Sequence, residues 1–311
     1  MSTERVLIGS RSFGKTFPEH LEELRAAGCE VIPNQLGRAY REAELFDALD
    51  GISCIVTGTD ELTRAAIDRA GSLRVIAKHG VGVENIDVDA AQERGIVVLA
   101  TPGAMSESVA ELAFALMLTL ARSIVPAHLE TRAGGWRLLP GHELRGKTLG
   151  LVGFGRIAQE VSVRAQAFGM TVVAHDPFGD VRLAAEQSVE LLSLDAVLER
   201  ADVISLHAAL PAGGGPLIGS RELSLLRPSA TLVNTARGAL VDERALAEAL
   251  SDGRLAGAAL DVFVEEPPVG SPLLGLENVV LTPHLGGQTT EALHRMGEQT
   301  VVNCLEGLGL S

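Results

Sequence analysis

Residues 150–158 read Gly-Leu-Val-Gly-Phe-Gly-Arg-Ile-Ala and join an apolar run to the start of a helix. Gly153, Gly155 and Ala158 fit the pattern G-x-G-x-x-(G/A). In this pattern the first glycine permits a tight turn, and the second lets the backbone approach a pyrophosphate. The small third residue lets the helix pack closely on the strand. Because the N-terminus of a helix also attracts phosphate, the stretch predicts a dinucleotide-binding turn.

An acidic residue follows at the distance that such a site requires. The next apolar run begins at Thr171 and ends at Asp176, which lies 18 residues after Ala158. This is close to the ~20 residues at which an acidic side chain binds the ribose hydroxyls of NAD. The next basic residue is Arg182, so no arginine adjoins Asp176 to accept a 2′-phosphate. The pattern favours NAD over NADP as the cofactor.

Composition sets limits on the class of protein. The chain has 311 residues, about right for two domains. Only 3% of the residues are aromatic, so aliphatic side chains fill the core, as is typical of buried parallel sheets. A net charge of −14 disfavours nucleic acid as a partner, because phosphate contact needs a basic face. Three cysteines far apart in sequence indicate reduced thiols and a cytoplasmic location, and no signal peptide or membrane span is expected.

The order of apolar runs predicts an α/β fold with two doubly wound parallel-sheet domains. The smaller, flavodoxin-like domain comprises residues 1–100 and 285–311, and the Rossmann domain comprises residues 101–284. Strands are expected at 5–8, 30–32, 52–56, 75–77, 96–99, 149–152, 171–174, 203–206, 231–234, 257–260 and 279–281. The helix at 289–305 has no sheet partner left in the second domain. We therefore expect it to pack on the first domain, which becomes discontinuous.

The middle of the chain carries a long helix followed by an irregular stretch. Residues 106–122 are apolar on nearly all sides, so this helix is expected to be buried between domains or subunits. Residues 123–147 are predicted to be irregular. Trp136, the only tryptophan, is interpreted as a buried anchor for that stretch.

Three loops after predicted strands carry residues that suit the reduction of a 2-oxo acid. Arg237, Glu266 and His284 each follow a different strand of the second domain, where open parallel sheets bind ligands. His284 is the natural proton donor and acceptor near neutral pH. Glu266 would orient it and raise its pKa, and Arg237 offers two parallel donors to a carboxylate. Each residue alone is more commonly structural, and the combination on a dinucleotide frame indicates catalysis.

The segments 234–238, 261–267 and 282–287 resemble the D-isomer-specific 2-hydroxyacid dehydrogenase family, in particular its phosphoglycerate dehydrogenase-like branch. The likeness runs from about residue 5 to the end. It implies that Arg237, Glu266 and His284 are catalytic, and that the chain forms a homodimer through the helix from Ser106. The implied NAD contacts are Gly153, Gly155, Arg156, Ile157, Asp176, His207, Thr235, Ala236, Arg237, Asp261, His284 and Gly287. The stretch 207–211 departs from the family's His-x-Pro-Leu-Thr, which leaves its cofactor contacts open.

Residues 78–87, Lys-His-Gly-Val-Gly-Val-Glu-Asn-Ile-Asp, resemble the family's substrate-side loop. The resemblance implies that backbone N–H groups around Val81 and Gly82 bind the substrate carboxylate together with Arg237. Relatives that act on phosphorylated substrates often carry arginine where this chain has Lys78. Lys78 therefore either binds a second anionic group, such as a phosphate or sulfonate, or only adds positive potential. His79 is interpreted as a structural residue, with a second polar contact as the alternative.

The sequence leaves three functions open. The first is NAD-dependent interconversion of a small anionic D-2-hydroxy acid and its 2-oxo acid, with phosphoglycerate among the candidates. The second is a nucleotide-sensing interaction protein of the corepressor type, which needs the nucleotide site but no acid/base pair. The presence of Arg237, Glu266 and His284 favours the enzyme. Oxidation of formate or phosphite ranks below both, and neither a metal site nor a membrane partner is predicted.

Overall fold

The computed structural model describes residues 3–211 and 213–310. The chain divides into two compact units. The first comprises Met1–Met105 and Gln288–Ser311, and the second comprises Ser106–Gly287.

Both units alternate strands and helices. The strands are β1 (Arg5–Ile8), β2 (Glu30–Ile32), β3 (Cys54–Thr57), β4 (Val75–Lys78), β5 (Val97–Leu99), β6 (Thr148–Val152), β7 (Thr171–His175), β8 (Glu190–Leu191), β9 (Val203–Leu206), β10 (Thr231–Asn234), β11 (Gly257–Leu260) and β12 (Val279–Leu281). The helices are α1 (Glu19–Ala26), α2 (Glu42–Ala48), α3 (Arg64–Arg69), α4 (Val88–Glu93), α5 (Ser106–Ala121), α6 (Ile124–Arg132), α7 (Arg156–Ala167), α8 (Val181–Glu186), α9 (Leu194–Arg200), α10 (Ser220–Leu225), α11 (Glu243–Ser251) and α12 (Thr290–Leu308).

The first unit is a parallel sheet covered on both faces. Its strand order is β2-β1-β3-β4-β5, which is the flavodoxin-like arrangement. Alternate residues of each strand point to opposite faces, so Leu7 packs with α2, α3 and α4 while Val6 and Ile8 pack with α1 and α12. The helix α12 therefore belongs to the core of the first unit although it follows the second unit in sequence.

The three cysteines share the core cluster beneath α12. Cys29, Cys54 and Cys304 are buried and free, and the Sγ atoms of Cys54 and Cys304 lie 3.5 Å apart. Burial in apolar surroundings raises the pKa of the Cys54 thiol well above its usual range, and the neighbouring Cys304 thiol raises it further. Both thiols are thus packing groups of the first unit.

The second unit is a seven-stranded parallel sheet in the order β12-β11-β10-β9-β6-β7-β8. This is the Rossmann order, with β12 added as a seventh strand beside β11. For this domain the sequence predicted six strands and missed β8 at the other edge, because β8 has only two residues, too few for an apolar pattern to reveal. Helix α5 packs on α7 and on β10 and β11, and its residues Val109, Ala113 and Met117 are buried.

The segment after α5 differs from its prediction. Residues 124–132 form helix α6, and only the stretch after this helix is irregular. Trp136 is 84% exposed, so its interpretation as a buried anchor is wrong. It lies on a run of exposed apolar side chains, which we call the 124–138 surface and which consists of Ile124, Val125, Leu129, Trp136 and Leu138.

No single helix within residues 3–211 and 213–310 is long and apolar enough to cross a membrane. Only α5 and α6 taken together reach that length and composition, and the chain bends by 64° between them.

Candidate active site

The turn between β6 and α7 has the close approaches that its glycines predict. Gly153 has φ +94°, and a Cβ there would lie 2.7 Å from backbone atoms of His207 and Ala208. Gly155, by contrast, has no atom within 4 Å of such a Cβ, so the space above it is open. Ala158 is fully buried against the sheet. The turn is thus packed against His207 and Ala208 at Gly153, whereas at Gly155, next to the N-terminus of α7, it has open space for a ligand.

Asp176 stands beside this turn at the end of β7. Its carboxylate accepts hydrogen bonds from the backbone N–H groups of Phe154, at 2.8 Å, and Phe178, at 2.9 Å. The side chain is only half-buried, so it keeps an exposed surface. In the first turn of α7, Arg156 is exposed and Ile157 is half-buried. These predicted cofactor residues therefore surround the same open face.

Two buried polar atoms at the ends of β9 and β10 lack partners. The Nε2 atom of His207 pairs with the hydroxyl of Ser205 at 2.9 Å, and burial lowers the pKa of His207 to about 4, so the ring is neutral. Within the described part of the chain, Nδ1 of His207 and Oγ1 of Thr235 are buried without a hydrogen-bond partner. Buried polar atoms are rarely left unpaired. Their place at the strand edge that carries the glycine turn fits a polar, dinucleotide-sized ligand.

The loop after β10 holds Arg237 through a buried asparagine. The side chain of Asn234 donates to the backbone oxygen of Arg237 at 2.8 Å and accepts from the N–H of Ala236 at 3.0 Å. The Arg237 guanidinium donates to the backbone oxygen of Ala236 at 2.7 Å. Sequence reasoning missed Asn234, because this tie depends on the turn geometry rather than on residue type.

The loop after β11 is packed directly on the Arg237 loop. A Cβ at Gly238 would lie 1.9 Å from the carbonyl carbon of Phe263, so no other residue fits there. This contact brings the segment that carries Glu266 against the segment that carries Arg237. The carboxylate of Glu243, at the start of α11, accepts the N–H of Val264 at 2.9 Å and steadies the same segment. No sequence signal marked Glu243.

Glu266 and His284 form a hydrogen-bonded pair. Oε2 of Glu266 lies 2.8 Å from Nδ1 of His284, while Oε1 accepts the N–H of Phe263 at 3.2 Å. With Nδ1 directed at the carboxylate, Nε2 is the atom of His284 that remains to exchange a proton. The pair is partly exposed, so a ligand can reach it.

The charges in the pair shift each other's titration. The hydrogen bond that His284 donates to Glu266 raises the pKa of His284 above its usual value, although burial and the charge of Arg237 act the other way. Partial burial opposes ionisation of Glu266, but His284, the N–H of Phe263 and Arg237 outweigh it and lower the pKa of Glu266. The site therefore pairs a carboxyl group that loses its proton more readily than usual with an imidazole that keeps its proton to higher pH than usual.

Asp261 holds the His284 loop in place. Its buried carboxylate accepts the Thr282 hydroxyl at 2.6 Å and the N–H groups of Leu285, at 2.7 Å, and Gly286, at 2.8 Å. His284 has φ +56°, a left-handed conformation that an ordinary residue keeps only when its surroundings enforce it. Asp261 is fully buried, so its visible role is to fix this loop, and contact with a nicotinamide amide stays a prediction.

The predicted substrate loop lies in the first unit. Val81 is exposed and Gly82 half-buried, as backbone donors to a small ligand require. Lys78 is buried, and its ammonium donates to the backbone oxygen of Gly58 and the side chain of Asn85. His79 is buried, with Nδ1 3.2 Å from the hydroxyl of Thr300 and with Nε2 lacking a hydrogen-bond partner among the described residues, so its structural role stays a prediction.

Among residues 3–211 and 213–310, no group of three or more His, Cys, Asp or Glu side chains is arranged to hold a metal ion.

Comparison with known proteins places these features in one family. Residues 114–286 match the family model described as "D-isomer specific 2-hydroxyacid dehydrogenase, NAD binding domain". The chain is 43% identical over 294 residues to a hydroxypyruvate reductase of Thermotoga maritima. The matched region covers 93% of this chain and 92% of that protein.

Two further proteins extend the comparison. A D-3-phosphoglycerate dehydrogenase of Methanocaldococcus jannaschii is 44% identical over 272 residues, or 86% of this chain. The match spans only about half, 52%, of the length of that relative. A crystal structure of a Thermus thermophilus protein superposes with a TM-score of 0.88 and 40% identity, covering 98% of this chain and 97% of that one.

Gly155 offers a test of the nucleotide turn that spares the fold. Its φ of −75° suits any residue and the space above it is open, so Gly155→Ala should unfold at the temperature of the wild type. The added methyl group would obstruct the pyrophosphate, and we expect NADH affinity, measured by fluorescence titration, to fall at least ~10-fold. Gly71→Ala, also without neighbours within 4 Å, is the matched control. Unchanged NADH affinity in Gly155→Ala would contradict this placement of the nucleotide.

Proposed function

The chain belongs to the D-isomer specific 2-hydroxyacid dehydrogenase family and carries its NAD-binding domain, and we propose that it interconverts a small D-2-hydroxy acid and its 2-oxo acid. The observation that carries the proposal is the Glu266–His284 pair, 2.8 Å apart, in a loop cluster that also contains Arg237. A binding protein needs no such proton-transfer pair.

Each residue of the cluster has a separate role in the proposed reaction. Nε2 of His284 gives a proton to the oxygen of the 2-oxo acid in reduction and removes it in oxidation. Glu266 holds Nδ1 of the imidazole and stabilises its charged form. Arg237 binds the substrate carboxylate and polarises the neighbouring carbonyl group. Asp261 and Asn234 keep the two loops in register for these contacts.

NAD supplies the hydride chemistry of this reaction. The open face above Gly155 would receive the pyrophosphate, and Asp176 the adenosine ribose, where a carboxylate disfavours a 2′-phosphate. The unpartnered Nδ1 of His207 and Oγ1 of Thr235 would hydrogen-bond to the bound nucleotide. The remaining contacts proposed from the family are Arg156, Ile157, Ala236, Arg237, Asp261, His284 and Gly287.

The proposed reaction is tested by NADH consumption with a panel of 2-oxo acids. The panel contains glyoxylate, pyruvate, hydroxypyruvate, phosphohydroxypyruvate and sulfopyruvate. We expect turnover with at least one of them, and His284→Ala should lower kcat/KM at least ~100-fold because the proton donor is lost. NADH affinity should change little, and His142→Ala, which alters an exposed loop histidine, is the control.

One result would instead favour a nucleotide-sensing interaction protein. If the wild type binds NADH tightly but reduces no acid in the panel, and His284→Ala changes nothing measurable, the acid/base interpretation is wrong.

The pKa shift of His284 predicts how activity depends on pH. Reduction needs protonated His284, so its kcat/KM should hold at low pH and fall as the pH rises through the raised pKa. Glu266→Gln removes the stabilising charge, which lowers that pKa and should move the alkaline limb of the profile to lower pH. Glu265→Gln changes the exposed neighbouring carboxylate and should leave the profile in place. Identical profiles for all three proteins would contradict the role of Glu266.

We propose that a second copy of the chain covers the 124–138 surface. Five large apolar side chains are exposed along α6 and the stretch that follows it. Single exposed apolar residues are common on protein surfaces, but a group of this size is typical of an interaction site. The family resemblance supports the same partner through the adjoining helix α5.

The homodimer is tested by sedimentation equilibrium. The wild type should sediment at twice the chain mass, and Leu129→Asp should give monomers because an unpaired charge would be buried in the interface. Emission from Trp136, the only tryptophan, should shift to longer wavelength in that variant. Val302→Asp places the same charge on an exposed position of α12 and should stay dimeric. A monomeric wild type would exclude this partner.

A cytoplasmic setting and the absence of nucleic acid as a partner remain part of the proposal. They are supported by the three free, buried thiols and by the net charge of −14.

A further inference from the structure

Lys78 ends β4 as a buried cation, with 7% of its surface exposed. A buried ammonium is costly unless its protons bind oxygen atoms. Its Nζ donates to the backbone oxygen of Gly58 and to Oδ1 of Asn85, the latter at 2.8 Å. These acceptors lie in the loops that follow β3 and β4, so the ammonium joins two neighbouring loops of the first unit.

The backbone of Gly58 is held on both sides of its Cα atom. Its N–H donates to Oδ2 of Asp60 at 3.1 Å, and its oxygen accepts from Lys78. The Asp60 carboxylate is fully buried and also accepts the hydroxyl of Thr57, at 2.8 Å. A buried carboxylate and a buried ammonium thus hold the two consecutive peptide groups that meet at Gly58, and both side chains gain polar partners.

Asn85 extends this network into the predicted substrate loop. Its Nδ2 donates to the backbone oxygen of Asp60 at 2.7 Å, and its backbone oxygen accepts the N–H of Leu62 at 3.0 Å. The far end of the loop is therefore tied to the segment after β3.

The near end of the same loop is tied separately. Both the N–H and the hydroxyl of Thr101 donate to the backbone oxygen of Gly80, at 2.9 and 3.1 Å. Val81 and Gly82, the proposed carboxylate contacts, lie between the two fixed ends. Removing the side chain of Lys78 or Asn85 would leave the backbone bonds to Leu62 but loosen this end of the short loop, and the N–H groups of the loop would be less firmly directed.

We propose that Lys78 is a positioning residue, whose ammonium fixes the Gly80–Asn85 loop against the Gly58 peptide so that the loop recognises one carboxylate. It acts on every substrate alike, and it does not select acids with a second anionic group. Gly58 and Asn85 take two donors of the ammonium, and with only 7% of Lys78 exposed a second anionic group has little surface by which to reach it. This inference rests on the proposed function.

The test compares a singly charged acid, hydroxypyruvate, with its phosphorylated form, phosphohydroxypyruvate. Lys78→Met should raise KM for both acids by the same factor, about tenfold, with kcat and NADH affinity nearly unchanged. Asn85→Ala should reproduce that pattern, and it carries the test if Lys78→Met does not fold. Lys15→Met, at an exposed lysine of the first unit, should leave KM unchanged.

A second readout does not depend on turnover. Hydrogen exchange of residues 80–85, followed by mass spectrometry, should accelerate in Lys78→Met and in Asn85→Ala but not in Lys15→Met. Unchanged exchange in both variants would overturn the proposal even if the wild type reduces neither acid, a result that would count separately against the proposed function.

Two kinetic outcomes would also overturn it. A rise in KM for the phosphorylated acid alone would mean that Lys78 contacts the second anionic group. Unchanged KM for both acids would mean that Lys78 serves only the stability of the fold.

Discussion

Parallel pairing makes every strand of a sheet end at the same edge, and the chemistry of this chain depends on that constraint. Residues as far apart in sequence as Gly153 and His284 leave the seven-stranded sheet on one side. The contact between Gly238 and Phe263 then presses two of these loops together. Apart from Ser205 in β9 and Asn234 in β10, the polar contacts of the site come from the loops and turns at the strand ends.

The candidate proton donor is held by interactions that differ in kind. The Glu266 carboxylate sets the charge and ring orientation of His284, whereas the Asp261 carboxylate sets the backbone from which the ring projects. One partner is half-exposed and open to a ligand, and the other is fully buried. Glu266 thus supplies most of the electrostatic tuning of His284, whereas Asp261, at the other end of the same short segment, adds to it and also holds the backbone.

Residue patterns predicted what depends on local chemistry. The glycine turn at 150–158, the position of Asp176 after a strand, the two parallel sheets and the return of the last helix all follow from spacing and apolar periodicity. Patterns did not reveal Asn234 or Glu243, because their hydrogen bonds join segments that only the fold brings together. The interpretation of Trp136 was wrong for a related reason: its apolar character does not tell whether another part of the same chain packs against it, and in the structure it is exposed.

The discontinuity of the first unit has a consequence for how the chain is made. Every strand of the second unit has been synthesised by residue 281, whereas the first unit still lacks α12. Until residues 290–308 have been translated, helix α12 is missing from the sheet face that carries Val6, Cys54 and Val75. The portion of the chain made first therefore finishes folding last, and its apolar face is the stretch that a chaperone would meet on the ribosome.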